Sequence, residues 1–493
     1  MTTASTISTT TSNTNSALKD AAQSILSGTT NSKLDANTLV SALVTGKTAG
    51  QAATISNTQA TDNTELSAVG SAKAALSALQ TALEQTSLPS SNNSSPPTST
   101  KKGSLSDGSI FSLLGAKFSG TGITASTTSD AAAGSYSVSV QQLAKANQIS
   151  SQAFASGAKL GAGTVTIGVG SKSTTVTLDP KNDTLPALAA AINSGSGNPG
   201  VTASVVTAAD GQHLVLTSTQ TGAANAVTVS AGVGIDPGLQ TANFTQVAAA
   251  QDAKLTISGN AVTSPSNTVT SALNGVTLIL KPDAVGTTQT LTIATDDSAI
   301  TDAVTNFVKQ YNAWVSTATA LSSYDASSKT AGPLLGDAML NSAVNGIASI
   351  MSAGVTVDGT TYSLAQIGLD LQNDGTLKLD TSALQTALAA SPASVAGIFN
   401  GKNGIGHQLD SFINSYTQTN VGQIDQRTAA LNTDLQRLAE QKTALTDYQQ
   451  SLATQYNTQF SALNNTLSHV QSNTAYLNQL FGGDGNPGTL NKK

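Results

Sequence analysis

The segment from Ile424 to Phe481 constrains the fold more than any other part of this sequence, because it has the pattern of one long helix. Its first half carries an apolar residue at every seventh position: Ile424, Leu431, Leu438, Leu445 and Leu452. Between Gly422 and Phe481 there is neither proline nor glycine. A helix of this length spans roughly 90 Å at about 1.5 Å per residue. A heptad seam must be covered by another helix, so the segment predicts helix assembly rather than a compact single domain.

The second half of this segment has its own apolar phase, with steps of three, four or seven residues. Its members are Tyr456, Phe460, Leu463, Leu467, Val470, Leu477 and Phe481. One extra residue between Leu452 and Phe460 shifts the seam. We predict that Ile424–Leu452 packs within the stalk of one subunit. The alternative is that it packs against a helix of another subunit. The second phase is wider and more aromatic, so we assign it to self-assembly or to contact with a protein partner, together with Leu39 and Leu43.

The N-terminal part of the sequence predicts the other half of that stalk. Leu39, Val40 and Leu43 fall on one side of a helix, and Leu76, Leu79 and Leu83 continue the same period. We predict stalk helices over residues 34–88, followed by a polar linker over 89–104 that contains Pro96-Pro97. Residues 1–33, rich in Ser, Thr and Asn, and residues 482–493 are predicted to be disordered.

The middle of the sequence is β-rich. Tyr136, Val138 and Val140 alternate with polar residues, and Asp210-Gly211 lies between two apolar runs as a hairpin turn would. Leu185–Ile192 predicts a short helix, and Asp296-Asp297 a helix N-cap. We predict one head domain from 105–157 with 250–296, a second from 158–249, a helical domain with a β patch over 297–421, and a terminal coiled-coil helix over 422–481. The fold class is multidomain α+β, with β-rich heads inserted between the paired terminal helices of a coiled-coil stalk.

Composition excludes several functional classes. Only 10% of residues are charged, against about 25% in ordinary globular chains, and the net charge is −6. This balance gives no basic footprint for nucleic acid. There is no cysteine, so disulfides and thiolate metal sites are excluded. Met1–Leu18 lacks the features of a Sec signal peptide, and no apolar run is long enough for membrane insertion.

The sequence also lacks the motifs of catalysis. The histidines His213, His407 and His469 are far apart and match no metal-ligand spacing. Gly46-Lys47-Thr48 resembles the end of a phosphate-binding loop, but Ser41 occupies the position of the first glycine and the context is helical. We therefore expect no enzyme activity, no metal and no cofactor.

A series of motifs resembles the flagellar hook-associated protein 2 family. Leu34–Val44 (LDANTLVSALV) is similar to its N-terminal helix, and Ser135–Ala144 (SYSVSVQQLA) to a strand of its head. Asn274–Leu278 (NGVTL), Ile367–Asp380 and Gln459–Leu463 (QFSAL) follow in the family's order. Residues 188–229 resemble the repeated IN module of flagellins and hook-associated proteins. The motifs run from Leu34 to Phe481 and so cover nearly the whole chain.

The resemblance implies a structural cap at the distal tip of the bacterial flagellar filament. Such a protein would form a homo-oligomeric ring of about five subunits, retain exported flagellin and promote its folding and insertion. It would be extracellular, exported unfolded through the flagellar type III apparatus, with an export chaperone as a possible partner of the C-terminal helix. Two alternatives stay open: a hook–filament junction protein, and a surface adhesin whose head binds glycans.

Overall fold

The computed structural model describes residues 36–84, 86–87, 102–357 and 359–481. The predicted disordered segments 1–33 and 482–493, and most of the linker over 89–104, lie outside this part. The chain forms two compact units. Unit 1 comprises Met1–Gln80, Asn312–Ser349 and Ser411–Lys493, and unit 2 comprises Thr81–Tyr311 and Ile350–Asp410. The predicted domain over 297–421 is thus divided between the units.

The helices have the following bounds. They are α1 (Ala36–Glu84), α2 (Leu185–Ser194), α3 (Asp297–Ser322), α4 (Ala338–Ser352), α5 (Thr381–Ala390), α6 (Pro392–Asn400), α7 (Ile405–Thr417) and α8 (Gln423–Phe481). The predicted N-cap of α3 is confirmed, because Asp296 Oδ1 accepts a hydrogen bond from the backbone N–H of Ala299 (3.2 Å). The N-terminal helical pattern forms one continuous helix, α1, of 49 residues.

The strands lie mostly between α1 and α3. They are β1 (Thr86–Ser87), β2 (Lys102–Gly103), β3 (Leu114–Phe118), β4 (Ile123–Thr127), β5 (Gly134–Gln142), β6 (Ala146–Ser151), β7 (Gly163–Val169), β8 (Lys172–Leu178), β9 (Val201–Ala208), β10 (Gly211–Thr221), β11 (Val227–Ala231), β12 (Phe244–Ala248), β13 (Ala253–Ile257), β14 (Asn260–Ser264), β15 (Thr268–Leu273), β16 (Val276–Leu280), β17 (Thr288–Thr295), β18 (Tyr324–Asp325), β19 (Thr330–Ala331), β20 (Val355–Val357), β21 (Thr360–Tyr362), β22 (Leu369–Leu371) and β23 (Leu377–Leu379). Multidomain α+β is therefore the correct fold class.

The first head domain contains two antiparallel sheets that enclose one core. A five-stranded sheet has the order β14-β13-β5-β17-β3, and a three-stranded sheet has the order β15-β16-β4. Val138 and Val140 of β5 are fully buried and share the core with Leu255, Leu278 and Leu291. The alternation of valine and serine along β5 places one face on this core, as period-2 patterning requires.

The second head domain also has two sheets and includes the short helix α2. The sheet orders are β12-β6-β10-β9 and β11-β7-β8. The hairpin at Asp210-Gly211 is confirmed, since Gly211 of β10 pairs with Ala208 of β9, and the helix over Leu185–Ile192 is confirmed as α2. Strand β6 pairs with β10 and β12. This domain accordingly begins near Ala146 and not at residue 158, where the sequence analysis placed its start.

The rest of unit 2 is held by an aromatic core. Phe307 of α3 makes an edge-to-face contact with Phe399 of α6, with ring centroids 6.3 Å apart, and Tyr311 packs beside Phe307. Burial raises the pKa of the Tyr311 hydroxyl to about 12. The predicted β patch consists of two hairpins, β20–β21 and β22–β23.

Candidate assembly surface

Helices α1 and α8 of unit 1 run antiparallel, and polar contacts define their register. Gln449 Nε2 donates a hydrogen bond to Thr48 Oγ1 (2.8 Å). Arg427 Nε donates to Glu65 Oε1 (2.8 Å), and Lys73 forms an ion pair with Asp425. From one contact to the next, the residue number on α1 increases while that of its partner on α8 decreases, as in an antiparallel pair of helices.

The heptad residues of α8 all belong to unit 1 and are buried. Ile424, Leu431, Leu438, Leu445 and Leu452 are each less than 9% exposed. Leu438 and Leu445 form one apolar cluster with Ile55 and Ala52 of α1. A seven-residue spacing returns to nearly the same side of a helix, so one stripe of α8 can face α1 over this length.

A second apolar cluster follows after the Thr48–Gln449 contact. Val40 and Val44 of α1 are buried against Leu452, and Tyr456 and Phe460 pack against the same group. Leu39 is buried and Leu43 half-buried. The predicted division of the seam after Leu452 therefore lies inside this cluster, and Tyr456 and Phe460 contact the chain's own α1. The one-residue shift of the apolar phase after Leu452 did not predict these contacts. A shift of that size turns the apolar stripe only part of the way around α8, so Tyr456 and Phe460 still reach the cluster.

Two charged contacts with α1 lie near the start of α8, before Leu431. The pKa of Asp425 is lowered because Lys73 donates a hydrogen bond to its carboxylate, as does the backbone N–H of Asn420. The pKa of Arg427 is raised because its guanidinium hydrogen-bonds the Glu65 carboxylate. Both pairs are partly exposed, so they contribute little free energy and mainly fix the register.

Beyond Phe460 the apolar side chains of α8 are open. Leu463, Leu467, Val470 and Leu477 are 38–54% exposed, while the side chain of Phe481 lies outside the described residues. Tyr476 and Leu480, which the heptad phase did not select, are also exposed. Leu480 lies three residues after Leu477 and four after Tyr476, so helical spacing could have identified it. We call Leu463, Leu467, Val470, Tyr476, Leu477 and Leu480 the distal apolar surface.

The helix around the distal apolar surface carries no formal charge. From Tyr448 to Phe481 there is no Asp, Glu, Lys or Arg, and the polar residues are mainly Asn, Gln, Ser and Thr. A helix with apolar side chains and no charge does not repel a second copy of itself. The exposed apolar side chains and the lack of charge distinguish this part of α8 from its first half, which carries charged residues such as Arg427 and Asp447.

Among the residues that the structure describes, no group of three or more His, Asp or Glu side chains is arranged to hold a metal ion. No helix among the described residues is both long and apolar enough to cross a membrane.

Comparison with known families places the chain among flagellar proteins. The family described as Flagellar hook-associated protein 2 N-terminus matches residues 32–147, and that described as Flagellar hook-associated protein 2 C-terminus matches residues 250–472. The family described as Flagellin hook IN motif matches residues 164–220, within the second head domain. The chain belongs to the flagellar hook-associated protein 2 family.

Individual relatives cover most of the chain. Flagellar hook-associated protein 2 of Escherichia coli K12 is 31% identical over 477 residues, which are 91% of this chain and 97% of that protein. B-type flagellar hook-associated protein 2 of Pseudomonas aeruginosa PAO1 is 30% identical over 455 residues, 87% of this chain and 92% of that protein. A crystal structure of the D1-D2-D3 domains of the flagellar cap protein FliD from Escherichia coli superposes with a TM-score of 0.52 at 30% identity, covering 74% of this chain and 99% of that one.

Proposed function

We propose that this protein is the cap at the distal tip of the bacterial flagellar filament. The observation that carries the proposal is the similarity to a flagellar cap protein over 74% of the chain in structure, together with about 30% identity to named hook-associated proteins over most of its length. The similarity extends across both the helices and the β-rich domains, so it is not confined to a shared module.

We further propose that the distal apolar surface makes the contacts that build the cap on the filament. Its exposed side chains would pack against neighbouring cap subunits or against flagellin, in a ring of about five subunits. Such a cap retains exported flagellin and promotes its folding and insertion. Export through the flagellar type III apparatus, with a chaperone on the C-terminal helix, belongs to the same proposal. The absence of charge over Tyr448–Phe481 supports close helix packing.

A truncation tests the role of this surface. A chain that ends after Ser461 keeps the cluster of Val40, Leu452 and Phe460 but loses the distal apolar surface. We expect it to fold and to appear in the culture medium, while filaments fail to grow and flagellin accumulates free in the medium. The control is a chain that ends after Phe481, which keeps the surface and should support filaments. Normal filaments from the shorter chain would contradict the assignment.

Position on the flagellum tests the cap proposal separately. Immunogold labelling of the full chain should mark the filament tip. Labelling at the boundary between hook and filament would instead identify a junction protein.

A further inference from the structure

His213 lies at the exposed end of the four-stranded sheet of the second head domain, and both of its ring nitrogens face acceptors. Nδ1 is 2.8 Å from the backbone carbonyl oxygen of Ser151. Nε2 is 3.0 Å from Oδ1 of Asp210. Ser151 ends β6, and Asp210 is in the turn between β9 and β10. One imidazole therefore joins a central strand to the hairpin turn beside it.

Both contacts require protons from the ring. A carbonyl oxygen and an ionised carboxylate accept hydrogen bonds and cannot donate them. A neutral imidazole has one N–H group, whereas the imidazolium has two. Only the protonated ring can make both bonds at once, and the neutral ring must give up one of them.

We propose that His213 is a proton-dependent latch that fastens the β9–β10 hairpin to strand β6. The latch is closed when the imidazole is protonated and opens when it loses its proton. This inference concerns the mobility of the head domain and is independent of the proposed cap function. Val206, which is opposite His213 in the register and 48% exposed, lies on the hairpin that the latch controls.

Asp210 is the charged group that contacts the His213 ring and affects its pKa. The neighbouring strands β6, β9 and β12 contain no Asp, Glu, Lys, Arg or His. The pKa of His213 is raised, first by the hydrogen bond to the Ser151 carbonyl and then by that to Asp210. The pKa of Asp210 is correspondingly lowered by the hydrogen bond from His213.

The raised pKa of His213 means that the folded state favours the charged ring. The latch is thus fully present below the ordinary histidine pKa of about 6.5 and is lost as pH rises through the folded-state value.

Opening of the latch frees only the end of the hairpin. Phe154 and Gln212 exchange two backbone hydrogen bonds, from Phe154 N–H to the Gln212 carbonyl (2.9 Å) and from Gln212 N–H to the Phe154 carbonyl (2.7 Å). These bonds do not titrate, so the strand pairing beside the ring persists. The freed part is the hairpin end over residues 206–211.

The test combines histidine NMR with hydrogen exchange on the full chain. The chain has only three histidines, so ring signals of ¹³C-histidine-labelled protein can be followed from pH 5 to 9, and H213Q assigns the signal of His213. We expect amide exchange over residues 206–211, corrected for its intrinsic pH dependence, to rise severalfold at the midpoint of the His213 titration. D210N should lower that midpoint, because the amide removes the negative charge.

Controls separate the latch from a general effect of pH. H213Q should abolish the exchange step, while H407Q, which removes an exposed histidine on α7 in the part of that helix that belongs to unit 2, should leave it intact. A midpoint that D210N does not move would overturn the proposal. So would an exchange step that persists in H213Q, or its absence in the wild-type chain.

Discussion

The side-chain amide of Asn193 pairs with the backbone of Ala203 through two hydrogen bonds. Nδ2 donates to the Ala203 carbonyl (2.7 Å), and the Ala203 N–H donates to Oδ1 (2.8 Å). Asn198 forms the same pair of bonds with Val201, both at 2.8 Å. Because β9 is an edge strand, these two amides satisfy backbone groups that the sheet leaves open, and they block the first half of the edge against another strand.

Replacement of Asn193 by alanine should destabilise the second head domain. The change leaves the N–H and carbonyl of Ala203 without their partner, which costs about 1–3 kcal/mol where the groups stay out of contact with water. Native-state hydrogen exchange of β9 and β10 measures the loss. Q220A is the matched control, since Gln220 is an exposed residue of the same domain, and it should leave the exchange unchanged. Equal exchange in N193A and Q220A would show that the amide pair has no stabilising role.

Two helical glycines of unit 1 should respond to alanine with opposite signs. A Cβ at Gly346 of α4 would overlap the ring of Phe412 of α7, whereas one at Gly70 of α1 meets no atom within 4 Å. We expect G346A to lower the free energy of unfolding by about 1–3 kcal/mol and G70A to raise it by about 0.5–1 kcal/mol. Urea denaturation followed by circular dichroism compares them. A stabilised G346A protein would contradict the close contact with Phe412.

Leucines on the two parts of α8 should have separable roles. L445A removes a buried side chain from the Ile55 cluster and should cost about 2 kcal/mol, the lower end of the usual range, because two helices can close partly around the gap. L467A alters an exposed side chain and should change stability by less than about 0.5 kcal/mol. In cells, we expect L467A to shorten filaments even though the protein is stable. If L467A left filament length unchanged, the distal apolar surface would lose its proposed role.

The ion pair between Lys73 and Asp425 should make the α1–α8 contact sensitive to acid. The pKa of Asp425 is lowered by the Lys73 hydrogen bond, so its contribution is present above the unfolded value of about 3.9. That contribution disappears as pH falls through the lower folded-state value. D425N should therefore be less stable than wild type near pH 6, and the difference should vanish at strongly acidic pH. Thermal unfolding at a series of pH values tests this, with the exposed α8 carboxylate Asp447, changed to asparagine, as the control; a constant difference at all pH values would refute it.

The sequence predicted those features that depend on regular spacing. The seven-residue repeat from Ile424 to Leu452 indicated a long helix with one buried stripe, and α8 has both. Alternation predicted the core valines of β5, and Asp210-Gly211 predicted a hairpin. Each of these patterns arises from local backbone geometry, so a single stretch of chain contains all the information needed.

Features that depend on distant partners could not be predicted in the same way. Ala146–Ser151 (ANQISS) has no regular apolar alternation, and only its pairing with β10 and β12 assigns it to the second head domain. Tyr456 and Phe460 are assigned to assembly by their spacing, and only the structure shows that they also pack, half-buried, against the cluster of Val40, Val44 and Leu452. The proton latch at His213 joins residues 62 positions apart, which no motif in the sequence indicates.

The hydrogen bond between Thr48 and Gln449 has a consequence for the order of folding. These residues are 401 positions apart, and Glu65 and Arg427 are 362 apart. The sheets of both head domains, by contrast, contain hairpins such as β9–β10 that need only a short stretch of chain. Closure of so large a loop is entropically costly and slow. Whichever end of the chain emerges first, α1 and α8 can pair only after both helices are available. Their pairing is therefore expected to follow the folding of the hairpins between them.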